Sequence, residues 1–186
     1  CLGQNNVDLY LDHQIGYPGG CDFNDCRFAR MLGAEAVMIT VFGNDAYARH
    51  NQKVMDFYGI DYSRSRYYEG ETPNALIKIV DGDRVFFGHN HGGVNGKHPV
   101  VLEKEDIAYL NDVDLVISSK GSKMKPEEFQ KLYDAGIPIA YDFSNNSPQE
   151  NIEKITPLCK FAFLSAGSME DGETESLMKE RHRMGA

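Results

Sequence analysis

Two adjacent glycines followed by an asparagine form the motif with the clearest chemical meaning. Gly19 and Gly20 come just before a helix that the apolar residues within 26–32 predict. Glycine lets a ligand approach the main chain closely, and the free N–H groups of a helix start suit hydroxyl or anionic acceptors. Asn24 carries both a donor and an acceptor, which is the chemistry that adjacent hydroxyl groups require. The segment matches neither Gly-x-Gly-x-x-Gly nor a P-loop, so dinucleotide binding gains little support.

A second group of polar residues is expected where strands end. In open α/β sheets, ligands bind in the crevice beyond the carboxyl ends of the strands. The candidates are small or able to form hydrogen bonds: Asn6, Asp8, Ser118, Ser119, Asp142 and Ser165. For each residue alone, a solvated turn or a helix cap is the simpler explanation, so the hypothesis of a binding site rests on their convergence.

Two further segments have ligand-binding chemistry. Residues 89–93 contain two imidazoles, but no nearby carboxylate or cysteine completes a metal-ligand set. A loop that touches substrate is therefore favoured over a metal site. Residues 120–125 form a basic run that suits phosphate, and a solvated loop explains that run equally well.

The elements that must position these residues alternate between strand and helix. Residues 37–42 are a nearly continuous apolar run, as expected of a strand covered on both faces. Asp45 caps a predicted helix that ends at Gly59. Further strands are predicted at 113–118, 137–142 and 160–164, with helices over 126–136 and 173–183. This alternation predicts the α/β class, a mostly parallel sheet with helices on both faces.

Two segments, 7–15 and 75–88, interrupt this alternation. The second contains two extended runs joined by Asp81 and Gly82, which is a good hairpin signal. Such strands do not fit a doubly wound parallel sheet. We therefore expect a small antiparallel β flap that projects from the sheet, with a β edge of no function as the alternative.

Composition excludes several classes of protein. The chain has 186 residues and a formal net charge of −9, which argues against binding to a nucleic-acid backbone. No apolar stretch approaches the ~20 residues that span a bilayer, and no charged leader precedes an apolar region. The 4 cysteines form no Cys-x-x-Cys pair, so we expect reduced thiols and a soluble, cytoplasmic protein. The length predicts a single domain.

The glycine pair belongs to a longer pattern. The residues that match the first signature of the ribokinase-like carbohydrate kinases, the PfkB family, are Gly19, Gly20, Asn24, Gly33 and Gly43. Nearly all of the chain resembles that family. Within it the chain is most similar to fructoselysine 6-kinases, in residues 7–10, 83–86, 142–144 and 161–163. The resemblance implies a three-layer ribokinase-like core with a small antiparallel β lid, and ATP-dependent phosphorylation of a sugar or sugar–amine hydroxyl with Mg²⁺.

The resemblance also implies roles for individual residues. The sugar pocket would comprise Asn6, Asp8, Gly19, Gly20 and Asn24. Ser165 would lie near the nucleotide, and Glu170 near magnesium. Lid segments at about 9–15 and 75–88 would close over the sugar, exclude water and pair with a partner's lid in a homodimer.

Four departures from the family pattern leave the identity of the sugar open. Gln4 stands where fructoselysine kinases tend to have Asp. Cys21, Asp22 and Cys26 also replace the usual residues of the first signature.

One sequence motif of the family does not occur in residues 1–186. Family members carry a later Gly-Ala-Gly-Asp, whose Asp is the catalytic base and whose amides hold the charge of the transferring phosphate. We therefore expect 1–186 to be the amino-proximal part of one sugar-kinase domain, trimmed at its front, inactive by itself, with its ATP-binding part beyond Ala186. Two alternatives are a non-catalytic sugar-binding or regulatory protein of the same fold, and a nucleoside kinase.

Overall fold

The computed structural model describes residues 1–167 and 169–186 and contains two compact units. The first unit comprises residues 1–100 and 121–123, and the second comprises 101–120 and 124–186. None of the helices in the described part of the chain has both the length and the apolar character needed to cross a bilayer.

The first unit combines parallel strands, two long helices and a flap. Its elements are β1 (Leu2–Gly3), β2 (Asn6–Tyr10), β3 (Ile15–Gly19), α1 (Cys21–Met31), β4 (Ile39–Phe42), α2 (Ala46–Tyr58), β5 (Arg66–Tyr67), β6 (Asn74–Val80), β7 (Asp83–His89) and α3 (Gly93–Lys97). Strands β1 and β5 both pair with β4 in parallel.

Strand β4 and the two long helices hold the core of this unit. All four residues of β4 are buried, as the continuous apolar run predicted. The core cluster consists of Phe23, Cys26, Met38, Phe42, Ala48, Met55 and Ile60. Full burial of a large side chain of this kind contributes about 1.5–3 kcal/mol, so this cluster fixes α1 and α2 against the strands.

Local capping signals define α2. The Asp45 carboxylate accepts a hydrogen bond of 2.8 Å from the main-chain N–H of Ala48, and Gly59 ends the helix in the left-handed conformation with φ 65°. Both ends of the predicted helix are confirmed. Asp45 also accepts hydrogen bonds from the N–H and the hydroxyl of Thr72, at 2.8 and 2.6 Å. The start of α2 therefore anchors the chain that leads into β6.

The flap consists of strands β2, β3, β6 and β7, in the order β3-β2-β6-β7. The pairs β2/β3 and β6/β7 are antiparallel hairpins, whereas β2 and β6 are parallel, so the flap is mixed rather than purely antiparallel. Its bounds also differ from the expected segments 9–15 and 75–88. Residues 11–14 form a turn, and strand structure extends from 6 to 10 and from 15 to 19. Pairing between distant segments set these limits, and no local pattern reports it.

The second unit alternates strand and helix, as the sequence predicted. Its elements are α4 (Lys104–Leu110), β8 (Val116–Ser119), α5 (Pro126–Asp134), β9 (Ile139–Asp142), α6 (Gln149–Ile155), β10 (Phe161–Phe163) and α7 (Asp171–Met184). Strand β9 lies between β8 and β10 and pairs with both in parallel. Packed aromatic rings at Phe129, Tyr141 and Phe143 support β9. The α/β class with mostly parallel strands in the core is confirmed.

Candidate functional site

The predicted residues of the amino-terminal segment come together at one corner of the first unit. Asn6 and Asp8 lie on β2, and Gly19 ends β3. The strand register places Asn6 opposite Gly19 and Asp8 opposite Tyr17. Because side chains alternate along a strand, Asn6 and Asp8 project from the same face of the flap.

Asp8 and Gly19 are in close contact. A Cβ atom built on Gly19 would lie 2.6 Å from Cγ of Asp8, a distance that real Cβ contacts do not show. Position 19 must therefore be glycine for the Asp8 carboxyl to occupy this place. Burial raises the pKa of Asp8, and the positive charge of Arg84 partly opposes that shift.

Gly20 joins the flap to helix α1. It has φ 92°, which L side chains rarely adopt, and its carbonyl accepts a hydrogen bond of 3.0 Å from the N–H of Asn24. A Cβ on Gly20 would lie 3.2 Å from the N atom of Asn6. The Oδ1 atom of Asn24 is buried and has no hydrogen-bond partner in the described part of the chain. The five residues assigned to a sugar pocket are thus neighbours along two flap strands and the first turn of α1.

A cavity of about 360 Å³ opens in the same unit. The residues that line it are Gln4, Asn6, Pro73, Asn74, Ala75, His89, His91, Gly92, Asn95, Gly121 and Lys123. They come from the segment after β1, from or next to the flap strands β2, β6 and β7, from helix α3, and from the short 3-10 helix at Lys120–Ser122 and the residue that follows it. Asn6 is the member of the predicted pocket that reaches the cavity wall.

Two asparagines of the cavity wall have unused acceptors. The Oδ1 atoms of Asn6 and Asn95 are buried and form no hydrogen bond with any residue that the structure describes. The Nδ2 group of Asn95 donates to the carbonyl of Gly3 at 3.3 Å, which fixes the orientation of its amide. Buried polar atoms normally have partners, so both oxygens are candidates for contact with a bound hydroxyl donor.

Gln4 is held between two glycines. Cβ atoms built on Gly20 and Gly121 would lie 3.1 Å from Cγ and 2.6 Å from Cδ of Gln4, respectively. The main-chain N–H of Gln4 donates a hydrogen bond of 2.8 Å to the carboxylate of Asp22, which is fully buried on α1. The main chain of Gln4 is thus anchored to α1, and its side chain lies on the cavity wall close to Gly20 and Gly121.

The two imidazoles of residues 89–93 also line the cavity. The N–H of His91 donates a hydrogen bond of 2.9 Å to Nδ1 of His89, and the two ring centroids lie 4.9 Å apart. No group of three or more metal-binding side chains occurs within residues 1–167 and 169–186.

Ser165 and Glu170 belong to the second unit. Ser165 is exposed after β10, and its N–H donates to the carbonyl of Ser144 at 3.2 Å. Glu170 caps α7, where its carboxylate accepts from the N–H of Glu173 in a capping box. Asp142 accepts from the N–H of Ser144 at 2.8 Å, which is the turn chemistry considered as its simpler explanation.

Sequence reasoning did not identify several cavity residues as ligand contacts. Asn95 carries no local signal, Gly121 lies within the basic run at 120–125 but has no side chain to mark it, and Gln4 stands out only as a departure from a family pattern. His89, His91 and Lys123 lay in segments recognised for their chemistry, but nothing in the sequence placed those segments together.

Comparison with known proteins decides the family. The family model described as "pfkB family carbohydrate kinase" matches residues 6–166. The chain belongs to this family. The match begins at Asn6, the first flap residue on the cavity wall, and includes the glycine pair and Asn24.

Two curated relatives of this pfkB family chain are sugar–amine kinases by name. It is 29% identical over 186 residues to fructosamine kinase FrlD of Bacillus subtilis, covering 100% of this chain and 65% of that protein. It is 28% identical over 165 residues to fructoselysine 6-kinase of Escherichia coli, covering 89% of this chain and 62% of that protein. The chain therefore spans less than two thirds of the length of these relatives.

Solved structures confirm the fold. A ribokinase of Arabidopsis thaliana, complexed with ribose and ATP, superposes with a TM-score of 0.78 at 14% identity, covering 99% of this chain and 68% of that chain. A fructokinase of Xylella fastidiosa with bound ATP has a TM-score of 0.75 at 15% identity, covering 99% of this chain and 66% of that chain. This pfkB family chain therefore has the ribokinase-like fold.

Proposed function

We propose that the whole protein is an ATP-dependent kinase that transfers a γ-phosphoryl group to a hydroxyl of a sugar or sugar–amine conjugate. The observation that carries this proposal is the position of Asn6, which belongs to the pocket of the family resemblance and lines the cavity of about 360 Å³. Membership of a carbohydrate kinase family supports the same reaction.

The pocket residues have the chemistry that hydroxyl groups require. Asn6 and Asn24 each have a buried amide oxygen that forms no hydrogen bond with the described residues, and each would accept one from a sugar hydroxyl. Asp8 would accept a charge-assisted hydrogen bond, and Gly19 and Gly20 allow the sugar close to the main chain. Closure of the flap would exclude water from the transferring phosphoryl group.

Sugar–amine conjugates are the substrate class that we favour. The two curated relatives are named fructosamine kinase and fructoselysine 6-kinase, and the identities are 29% and 28%. Neutral sugars and nucleosides are the competing substrates, and direct comparison of their turnover separates these classes.

ATP would be the phosphoryl donor, and Ser165 is proposed to lie near it. Glu170 is proposed to act with magnesium, which would neutralise phosphate charge in such a reaction. Glu170 also caps α7 through a capping box, which gives this carboxylate a structural role. We propose that the catalytic base and the amides that hold the phosphate charge lie outside residues 1–186, since this chain covers 65% of the length of its Bacillus subtilis relative.

The flap also supports a homodimer. In the flap, Tyr17 lies opposite Asp8 and Phe86 lies opposite Ile77, on the face that carries Asp8. The side chain of Tyr17 is 53% exposed and that of Phe86 is 64% exposed. Large exposed rings on one sheet face are typical of surfaces that another protein covers. We propose that a second copy covers this face. Light scattering of the whole protein should give the mass of a dimer, and Phe86→Ser should reduce it to that of a monomer.

The proposed reaction is tested with the whole protein, by ADP release and by titration calorimetry. Fructoselysine, fructose, ribose and a nucleoside are compared, and turnover is expected to be highest with the sugar–amine conjugate. Asp8→Ala and Asn24→Ala should each weaken sugar binding by about 1.5–3 kcal/mol, the worth of a hydrogen bond to a charged group, with the lower end for the neutral amide. Asp112→Ala, at an exposed position in the second unit, is the matched control.

Two results would contradict this assignment. Unchanged sugar affinity in both pocket variants would remove Asp8 and Asn24 from the binding site. Sugar binding without ADP release by the whole protein would favour a non-catalytic sugar-binding protein of the same fold.

A further inference from the structure

The charge of the cavity wall differs from that of the chain. The chain has a net charge of −9, yet none of the described residues that line the cavity is an aspartate or a glutamate. The polar side chains of the wall are the amides of Gln4, Asn6, Asn74 and Asn95, the imidazoles of His89 and His91, and the ammonium of Lys123. The wall is therefore neutral to positive.

Lys123 is the charged group of this wall. It is exposed, and among residues 1–167 and 169–186 its ammonium group forms neither an ion pair nor a hydrogen bond. Its main chain has φ 58°, and the buried residues Ser122 and Met124 hold the chain on either side. The position of its Cα atom is thus fixed, while its charge has no protein partner.

The two histidines provide hydrogen-bond donors on the same wall. Nδ1 of His89 accepts from the N–H of His91 at 2.9 Å, which leaves Nε2 as the ring nitrogen that can donate to a ligand. His89 ends β7 opposite Ala75, which lies opposite Asp8 on β2. The imidazole pair is therefore placed by the same flap strands that carry the proposed sugar-binding residues.

We propose that the substrate carries an anionic group, a carboxylate or a phosphate, that binds to Lys123 together with His89 and His91. The sugar hydroxyls of the same molecule contact the amides of the wall. This inference rests on the proposed kinase function and specifies its substrate class as an acidic sugar derivative. An anion satisfies both the unpaired ammonium and the imidazole donors, since charge-assisted hydrogen bonds to Lys and His are stronger than neutral ones.

The test uses pairs of ligands that differ in the anion alone. N-(1-deoxyfructosyl)glycine is compared with N-(1-deoxyfructosyl)ethanolamine, in which a hydroxymethyl group replaces the carboxylate. Fructose 1-phosphate is compared with fructose and distinguishes a phosphate from a carboxylate. Titration calorimetry of the whole protein should show at least one ligand with the carboxylate or phosphate binding about tenfold or more tightly than its match without that group, as a hydrogen-bonded ion pair implies.

Protein variants locate the anion. Lys123→Asn removes the charge, and asparagine tolerates the left-handed backbone of this position. It should weaken binding of the ligand that carries the carboxylate or phosphate about tenfold, and leave binding of the match without that group within about twofold. Lys125→Asn is the control, because this neighbouring lysine lies outside the cavity at the start of α5. His89→Phe keeps a ring and removes the donor, so it should also lower the preference for the anion.

Each outcome separates the inference from the function on which it rests. The anion site is overturned if the two ligands of each pair bind equally well to the wild type. It is also overturned if Lys123→Asn weakens the binding of both ligands of a pair to the same extent. The kinase proposal stands in both cases. Failure of every sugar to bind or to be phosphorylated overturns both.

Discussion

The carboxyl group of Asp8 occupies the space that a side chain at Gly19 would need, since a Cβ there would lie 2.6 Å from its Cγ. The two residues lie on adjacent strands of the flap, and Gly19 directly precedes the glycine that starts α1. The glycine pair therefore does more than allow a ligand near the main chain: it leaves room for the carboxylate of the proposed sugar pocket.

Gly19→Ala should displace Asp8 and weaken sugar binding. Loss of a hydrogen bond to a charged group corresponds to a decrease in affinity of about 10- to 100-fold, measurable by calorimetry. Gly172→Ala is the matched control, because a Cβ there meets no atom within 4 Å and its φ is ordinary. Equal affinity of the wild type and Gly19→Ala would show that the position of Asp8 does not matter for binding.

The ionised Asp8 carboxyl is expected to lower the free energy of unfolding, although it is proposed to bind the sugar. Burial raises its folded-state pKa above 3.8, so the folded protein loses its proton at higher pH than the unfolded chain. Ionisation of Asp8 therefore decreases the free energy of unfolding as the pH rises from 3.8, the pKa of the unfolded state, through the higher pKa of the folded state. Asp8→Asn should melt at the same or a higher temperature than the wild type at pH 7, with sugar affinity reduced about tenfold. A lower melting temperature, with Asp112→Asn unchanged, would contradict this prediction.

Gly121 is expected to act through Gln4. A Cβ on Gly121 would lie 2.6 Å from Cδ of Gln4, so Gly121→Ala should move the Gln4 amide and weaken sugar binding about three- to tenfold, the worth of one neutral hydrogen bond. In a Gln4→Ala background, Gly121→Ala should have no further effect. A double-mutant cycle by calorimetry measures this coupling, and additive losses would exclude it.

Asp45 is expected to stabilise the first unit in a pH-dependent way. Burial raises the pKa of Asp45, but hydrogen bonds from Thr72 and Ala48 outweigh that effect and hold the pKa below its usual value of 3.8. Its contribution is therefore complete above about pH 4 and is lost as the pH falls through the folded-state pKa. Asp45→Ala should lower the free energy of unfolding by about 1–2 kcal/mol at neutral pH, as loss of a helix cap does. Urea denaturation should show this difference shrinking at acid pH, whereas Asp112→Ala should show none.

Helix ends and buried strands were predictable because their signals are local. Asp45 and Gly59 bound α2 through groups within a few residues of each helix end, and the apolar run at 37–42 required burial on both faces. The short helices α3, α4 and α6 were missed, since five to seven residues show too little periodicity to be recognised.

What the sequence by itself determined is the α/β class, the limits of the longer elements and the family, because these depend on local chemistry and on spacing along the chain. Only the tertiary structure decided the parallel pairing of β2 with β6 and the cavity that follows from it. That pairing places residues 7 and 8, which follow Asn6, opposite residues 74 and 75, and residues 121–123 join the same unit from farther along the chain. Side chains so distant in sequence meet through packing, and packing between distant segments leaves no periodic trace in either of them.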